Sequence, residues 1–158
     1  DGTAYSFVPE GSWVEIPSSD SLNPGTRDFS FSAWIKVSQA PTADQTYDAV
    51  RKGLTTTKTG DFKFEMSKGG KVRCIAKDSA RHAASVYGPV RNYADGSWHY
   101  FTCARTGSSW SITIDGITRS KLGSLGSISN GSALSIGSKY GDQDDVVGLL
   151  DEVQFTIG

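Results

Sequence analysis

Between Tyr140 and Asp145 the chain reads YGDQDD, which places three carboxylates, one amide and one aromatic ring within six residues. Ca²⁺ takes about six to eight oxygens from carboxylates, carbonyls and water, and carboxylates crowded onto one loop repel one another until a cation relieves them. Asp142, Asp144 and Asp145 are therefore candidate ligands for Ca²⁺, against the plainer reading of a solvated acidic turn. Their spacing is not that of an EF-hand. The same segment suits a sugar, which needs an aromatic face to stack on a pyranose ring and amide or carboxylate groups for its hydroxyls. Tyr140, Asp142 and Gln143 form one such set, with Tyr87 and Tyr47 as further faces and Trp13, Tyr93 and Trp110 completing the aromatic candidates. Trp34 and Trp98 lie in the strongest strand patterns and are assigned to the core, as is Trp110, with less force, because it shares a face with two isoleucines.

Hydrolytic chemistry finds little to work with. A retaining glycosidase sets two carboxyl groups about 5 Å apart, typically along one strand as E-x-D-x-x-E, and no such motif occurs. Glu65 has no carboxylate two or four residues on and is read as an exposed strand residue. His82 and His99 are too few for a histidine metal site and sit in no nucleophile motif. These residues describe a binding module, not an enzyme.

The elements that position these groups are strands. In Phe29 to Val37 the residues Phe29, Phe31, Ala33, Ile35 and Val37 line one face, and a one-residue slip would expose the whole apolar set. Asp95 to Gly116 reads as two strands joined by a turn at Thr106 to Ser109, with Asp115-Gly116 opening another turn. Phe62, Phe64 and Met66 turn at Lys68 to Lys71 and return as Val72, Cys74 and Ala76, again a hairpin. Ala4 to Val8 and Trp13 to Pro17 are read as an opening hairpin, Tyr47 to Val50 as a short strand and Ser85 to Tyr87 as another. In the last strand Leu149, Asp151, Val153, Phe155 and Ile157 share a face by alternation, so Asp151 is expected among apolar neighbours. An unpartnered carboxylate there is costly. It needs hydrogen-bonded partners or, if a metal site extends into the sheet, an ion.

With 158 residues, 37% of them hydrophobic, residues 1–158 make one domain with one core. Eighteen glycines, a single methionine and no sustained helical period predict an all-β fold of many short strands, in the manner of a two-sheet antiparallel sandwich. The formal charge of −1 is spread evenly, which disfavours nucleic acid and anionic membranes as partners. No apolar run reaches the roughly 20 residues of a membrane span. The opening residues lack an export-signal pattern, so any such signal is expected to have been removed. Cys74 and Cys103 lie in separate strand patterns without C-x-x-C spacing. A disulfide is preferred over two buried thiols of a cytosolic protein, since closing a loop of about 30 residues stabilises by about 3–4 kcal/mol in the chain-entropy model. The disulfide is expected to join neighbouring strands and points to a secreted domain.

Taken in order, AYSF near the start, WVEIP, LNPGT, FSFSAWIKV, the RKG after a short strand, DGSWH and GLLDEVQF resemble a bacterial laminin G-like domain, of the concanavalin A-like, pentraxin-related jelly rolls. The cysteine positions are similar to those of actinobacterial secreted members, which implies a bridge from the strand after the Gly-Gly turn to the strand after Trp98-His99. The resemblance implies a two-sheet jelly roll that recognises polysaccharide, oligosaccharide or polypeptide, often with calcium, commonly appended to an extracellular catalytic domain or adhesin. The acids that ligate calcium in pentraxins would fall on Lys139 to Gly141, which supply no carboxylate. The first reading is therefore a non-catalytic carbohydrate-binding module of a secreted polysaccharide-active protein. The second is an extracellular protein-interaction or adhesion module.

Overall fold

A computed structural model describes residues 3–8, 11–141 and 143–158. Among them are twelve strands: β1 (Tyr5–Phe7), β2 (Val14–Ile16), β3 (Phe29–Lys36), β4 (Tyr47–Lys52), β5 (Asp61–Ser67), β6 (Lys71–Lys77), β7 (Ala83–Tyr87), β8 (Trp98–Thr106), β9 (Ser109–Ile114), β10 (Ile117–Leu122), β11 (Leu134–Ile136) and β12 (Gly148–Ile157). They form two antiparallel six-stranded sheets, ordered β1-β12-β3-β8-β9-β10 and β2-β11-β4-β5-β6-β7. This is the two-sheet jelly roll that the strand patterns and the resemblance predict.

The expected opening hairpin is not formed, because β1 pairs with β12 in the first sheet and β2 with β11 in the second. Each is a three-residue strand at a sheet edge, and a partner from the far end of the chain completes its ladder. β10 gave no apolar alternation because all six of its residues are exposed on the opposite edge of the first sheet.

Between the sheets the alternating apolar faces interdigitate, and that burial is the main stabilising contribution. Phe29 and Phe31 of the first sheet meet Phe62 of the second at ring-centroid distances of 5.3 and 5.1 Å, and Phe64 stacks on Phe101 at 3.7 Å. Trp110 is fully buried and its Nε1–H crosses the core to donate to the Cys74 carbonyl at 3.1 Å. Cys74 and Cys103 are joined by a disulfide with Cα atoms 5.7 Å apart. The bridge does not link neighbouring strands. It runs from β6 in one sheet to β8 in the other, because both cysteines sit on inward faces across the core.

One outward turn of the backbone shapes the surface. β12 opposes β3 with Asp151 against Trp34 and Gln154 against Ser32, so three steps on β12 face two on β3 and one extra residue bulges out. Glu152 takes a positive φ of 49° to accommodate it. A bulge of this kind re-aims side chains. Leu150 points inward before the bulge and Phe155 packs against the core after it, while Asp151 and Glu152 turn outward between them. The expectation that Asp151 lies on the apolar face is thus corrected, since alternation cannot be carried through a bulge.

Candidate functional site

The outer face of the first sheet carries an unexpected aromatic group. Trp34 and Trp98 are each 37% exposed and do not belong to the core to which their strand patterns assigned them. In both strands the inward positions are already taken, by Phe31, Ala33 and Ile35 in β3 and by His99, Phe101 and Cys103 in β8. The tryptophans fall on the alternate, outward positions. Trp34 stands opposite Tyr100 in the ladder with ring centroids 5.1 Å apart, and Trp98 lies two residues along the same face. The Tyr100 hydroxyl donates to Ser32 Oγ at 2.9 Å, which fixes the ring. Trp34, Trp98, Asp151 and Glu152 together line an open depression of about 300 Å³. Asp151 Oδ1 accepts the Glu152 N–H at 2.8 Å. Glu152 is exposed.

Two turns bracket the start of β8 and hold this face in register. His99 is buried, with Nδ1 2.7 Å from Asp115 Oδ2 and Nε2 3.0 Å from Asp95 Oδ1. Tyr93 meets the imidazole edge-on at 5.1 Å. The His99 hydrogen bond, followed by that from the Ser97 N–H, holds the Asp95 carboxyl well below the ordinary carboxylate range. His99 is structural, as its place at the start of the strand suggests.

The residues expected to bind sugar or metal are placed as follows. Asp142 lies outside the described residues. Tyr140 is half-buried at φ 58°, its oxygen accepting the Gly53 N–H at 2.7 Å while its hydroxyl donates to the Ala133 carbonyl at 3.0 Å. Burial, first among several influences, raises the pKa of that hydroxyl. The ring fastens the turn to the end of β4 instead of standing free. Trp13 packs over Gly141, where an added Cβ would lie 2.5 Å from the indole. Tyr47 is 7% exposed and belongs to the core. Tyr87 alone of these tyrosines is widely open, with the Arg73 guanidinium 5.4 Å from its ring centroid.

Gln143, Asp144 and Asp145 line a cavity of about 440 Å³ with Asp44, Gln45, Tyr47 and Val147. Asp144 Oδ1 accepts the Thr46 N–H at 3.3 Å, whereas Asp145 Oδ1 is buried without a partner among the described residues. Among the described residues no three His, Cys, Asp or Glu side chains converge as a metal cage. Asp151 does not join this cavity, since it lies on the outer face of the other sheet beside Trp34.

On the outer face of the second sheet a chain of ion pairs runs across three strands. Asp48 pairs with Arg51 and, at 3.2 Å, with Lys63; Lys63 pairs with Glu65, and Glu65 with Arg73. Asp48 and Glu65 are opposite each other in the β4–β5 ladder, and both are under 2% exposed. Glu65 is therefore not the exposed strand residue expected from its sequence neighbours. These two carboxylates resemble a catalytic pair only in number, because each is committed to cations and closed to water.

Residues 9–156 match the family model described as the concanavalin A-like lectin/glucanases superfamily, in its laminin G form. The chain belongs to this family. No curated protein matches in sequence. Among solved structures, this laminin G-like domain is similar to domains LG4-5 of the mouse laminin alpha1 chain, at 14% identity and a TM-score of 0.62, over 96% of this chain and 39% of that one. It is similar to the binding domain of botulinum neurotoxin serotype D at 15% identity and a TM-score of 0.71, over 95% of this chain and 38% of that one. The SAP-like pentraxin of Limulus polyphemus aligns at 14% identity and 0.59, over 92% and 76%. At such identities the likeness is one of fold, and this laminin G-like domain spans about two fifths of the laminin and toxin chains. Among the described residues no helix is long and apolar enough to cross a membrane.

Proposed function

We propose that this laminin G-like domain is a carbohydrate-binding module without catalysis, which attaches a secreted polysaccharide-active protein to its substrate. The observation that carries this reading is the open indole pair Trp34 and Trp98, seated beside Tyr100 and two outward carboxylates. Aromatic faces cover the apolar face of a pyranose ring, and carboxylates accept from its hydroxyls. A rigid strand-borne platform positions such rings better than a loop does. The sugar site thus moves from the Tyr140 turn to the outer face of the first sheet. Contacts of this kind are individually weak, and an affinity of about 1 mM to 1 μM for a short oligosaccharide is expected.

Affinity electrophoresis and calorimetry against a panel of soluble polysaccharides test this directly. Trp34→Ala should weaken retention at least about tenfold, roughly 1.4 kcal/mol, while stability stays within about 1 kcal/mol because the ring faces solvent. Tyr87→Ala, on the other sheet, should bind as the parent does. Should no polysaccharide be retained while an extracellular polypeptide binds through the same tryptophans, the adhesion reading takes over.

Calcium is proposed for the separate cavity at Asp144 and Asp145, on the buried Asp145 Oδ1, which has no partner among the described residues. With Asp44 and Gln143 on its wall, carbonyls and water would complete the oxygen set. A ligand of the folded state alone raises stability by mass action, so melting temperature should rise in millimolar Ca²⁺ over chelator. Coincident melts in the two buffers would remove the metal.

A further inference from the structure

Resting on the carbohydrate reading, we infer that the Trp34–Trp98 surface selects a cationic amino sugar, a polymer of glucosamine type with free ammonium groups, over neutral or anionic glycans. The depression is lined by two indoles and two carboxylates and by no basic side chain. Lys36 shares the outward face of β3 with Trp34, but its place in the ladder is opposite Trp98 and Leu149, two pairs along from Asp151 and Trp34, and it is absent from the lining. With a formal charge of −1 for the whole chain, the concentration of negative charge here is local and not a general property of the surface.

The bulge in β12 makes this pairing possible. A regular strand alternates faces, so of two consecutive residues only one can point outward. Here Glu152 at φ 49° lets Asp151 and Glu152 both face out, immediately beside Trp34. A neutral pyranose can use the two carboxylates as hydrogen-bond acceptors but carries no charge to complement them. An anionic uronate would be repelled by them. An ammonium-bearing ring satisfies both halves of the surface, since its carbon face stacks on an indole and its cation meets the carboxylates. Indole faces themselves attract cations through the ring quadrupole. Hydrogen bonds between ionised partners are the stronger ones.

The test compares chitosan oligosaccharides with N-acetylated chitin oligosaccharides, cello-oligosaccharides and oligogalacturonate, by calorimetry in mildly acidic buffer where the amine is an ammonium. The chitosan ligand should bind at least about tenfold more tightly than its acetylated and neutral counterparts, with oligogalacturonate weakest. Its advantage should shrink as salt rises, because exposed charges are screened. Glu152→Gln keeps the shape of the rim and removes one charge from an exposed position, so the fold is preserved. It should cut chitosan binding several-fold and weaken neutral glycans far less, because the amide oxygen that replaces the carboxylate still accepts from hydroxyls. If neutral glycans bind as well as chitosan, or Glu152→Gln weakens all ligands alike, the cation preference is overturned while the carbohydrate reading stands. If Trp34→Ala has no effect on any glycan, both are overturned.

Discussion

Replacing Cys74 and Cys103 together by alanine is expected to cost about 2–5 kcal/mol, one of the two largest losses available from small changes in this fold. Both sulfurs are fully buried, and the bridge spans a sequence separation of 29 residues. It joins β6 to β8 across the core, so it fixes the sheet that carries Trp34 and Trp98 against the sheet that carries the ion-pair chain. In the chain-entropy account its effect is largely on the unfolded ensemble, which becomes less restricted once the loop is opened. Urea titration should therefore show a lower midpoint and a steeper dependence on denaturant than in the oxidised protein. The outward tryptophans should survive the change, since Trp34 and Trp98 touch solvent and not the sulfurs. Glycan binding at low temperature should persist while the melting temperature falls. Two thiols open to alkylation in the native, unreduced protein would contradict the bridge itself.

What the sequence made legible follows from its alternation. Each run such as Phe29, Phe31, Ala33, Ile35 announces a face that must be buried, a sign that the wholly exposed β10 lacks. The two cysteines announced their own pairing. Alternation names a face but not a sheet, however, and this is why β1 and β2 were paired with each other and the disulfide was placed between neighbours. The binding surface was hidden by the same logic. Trp34 and Trp98 are apolar enough to pass for core, and only the prior claim of Phe31, Ala33 and Ile35 on the inward positions would have turned them out. The bulge was less visible still, because Glu152 takes its positive φ with no glycine or asparagine to mark it. Asp48 and Glu65 read as ordinary strand acids, since their partners Arg51, Lys63 and Arg73 come from three strands and become neighbours only in the ladder.

Asp48→Ala is expected to destabilise the domain by about 3–5 kcal/mol, as large a loss as that of the disulfide. The Asp48 side chain is fully buried and takes Arg51 on one oxygen and Lys63 on the other. Truncation leaves the Arg51 guanidinium, 3% exposed, with a single carbonyl partner at Gly53 and no counter-charge. Removing the cation as well, in Asp48→Ala/Arg51→Met, should recover part of the loss, because an uncompensated buried charge costs more than an apolar replacement of the pair. Burial is the leading influence on the Asp48 carboxyl and raises its pKa, ahead of the lowering by Arg51 and Lys63. On acidification the folded state therefore takes up this proton before the unfolded chain does, and the contribution of Asp48 to stability grows as the pH falls through that raised value towards the ordinary carboxylate range. Asp95 behaves in the opposite sense, since its carboxyl is held low by His99 and Ser97, and the stability it contributes is lost as the pH drops below that range. Urea midpoints for the single and double variants, measured at neutral and at acid pH, separate these terms. A loss below about 1 kcal/mol for Asp48→Ala would mean that water already reaches Arg51 and Lys63. The ground for treating Asp48 and Glu65 as closed to a sugar and its attacking water would then fail, and a hydrolysis assay on the second sheet would be the next measurement.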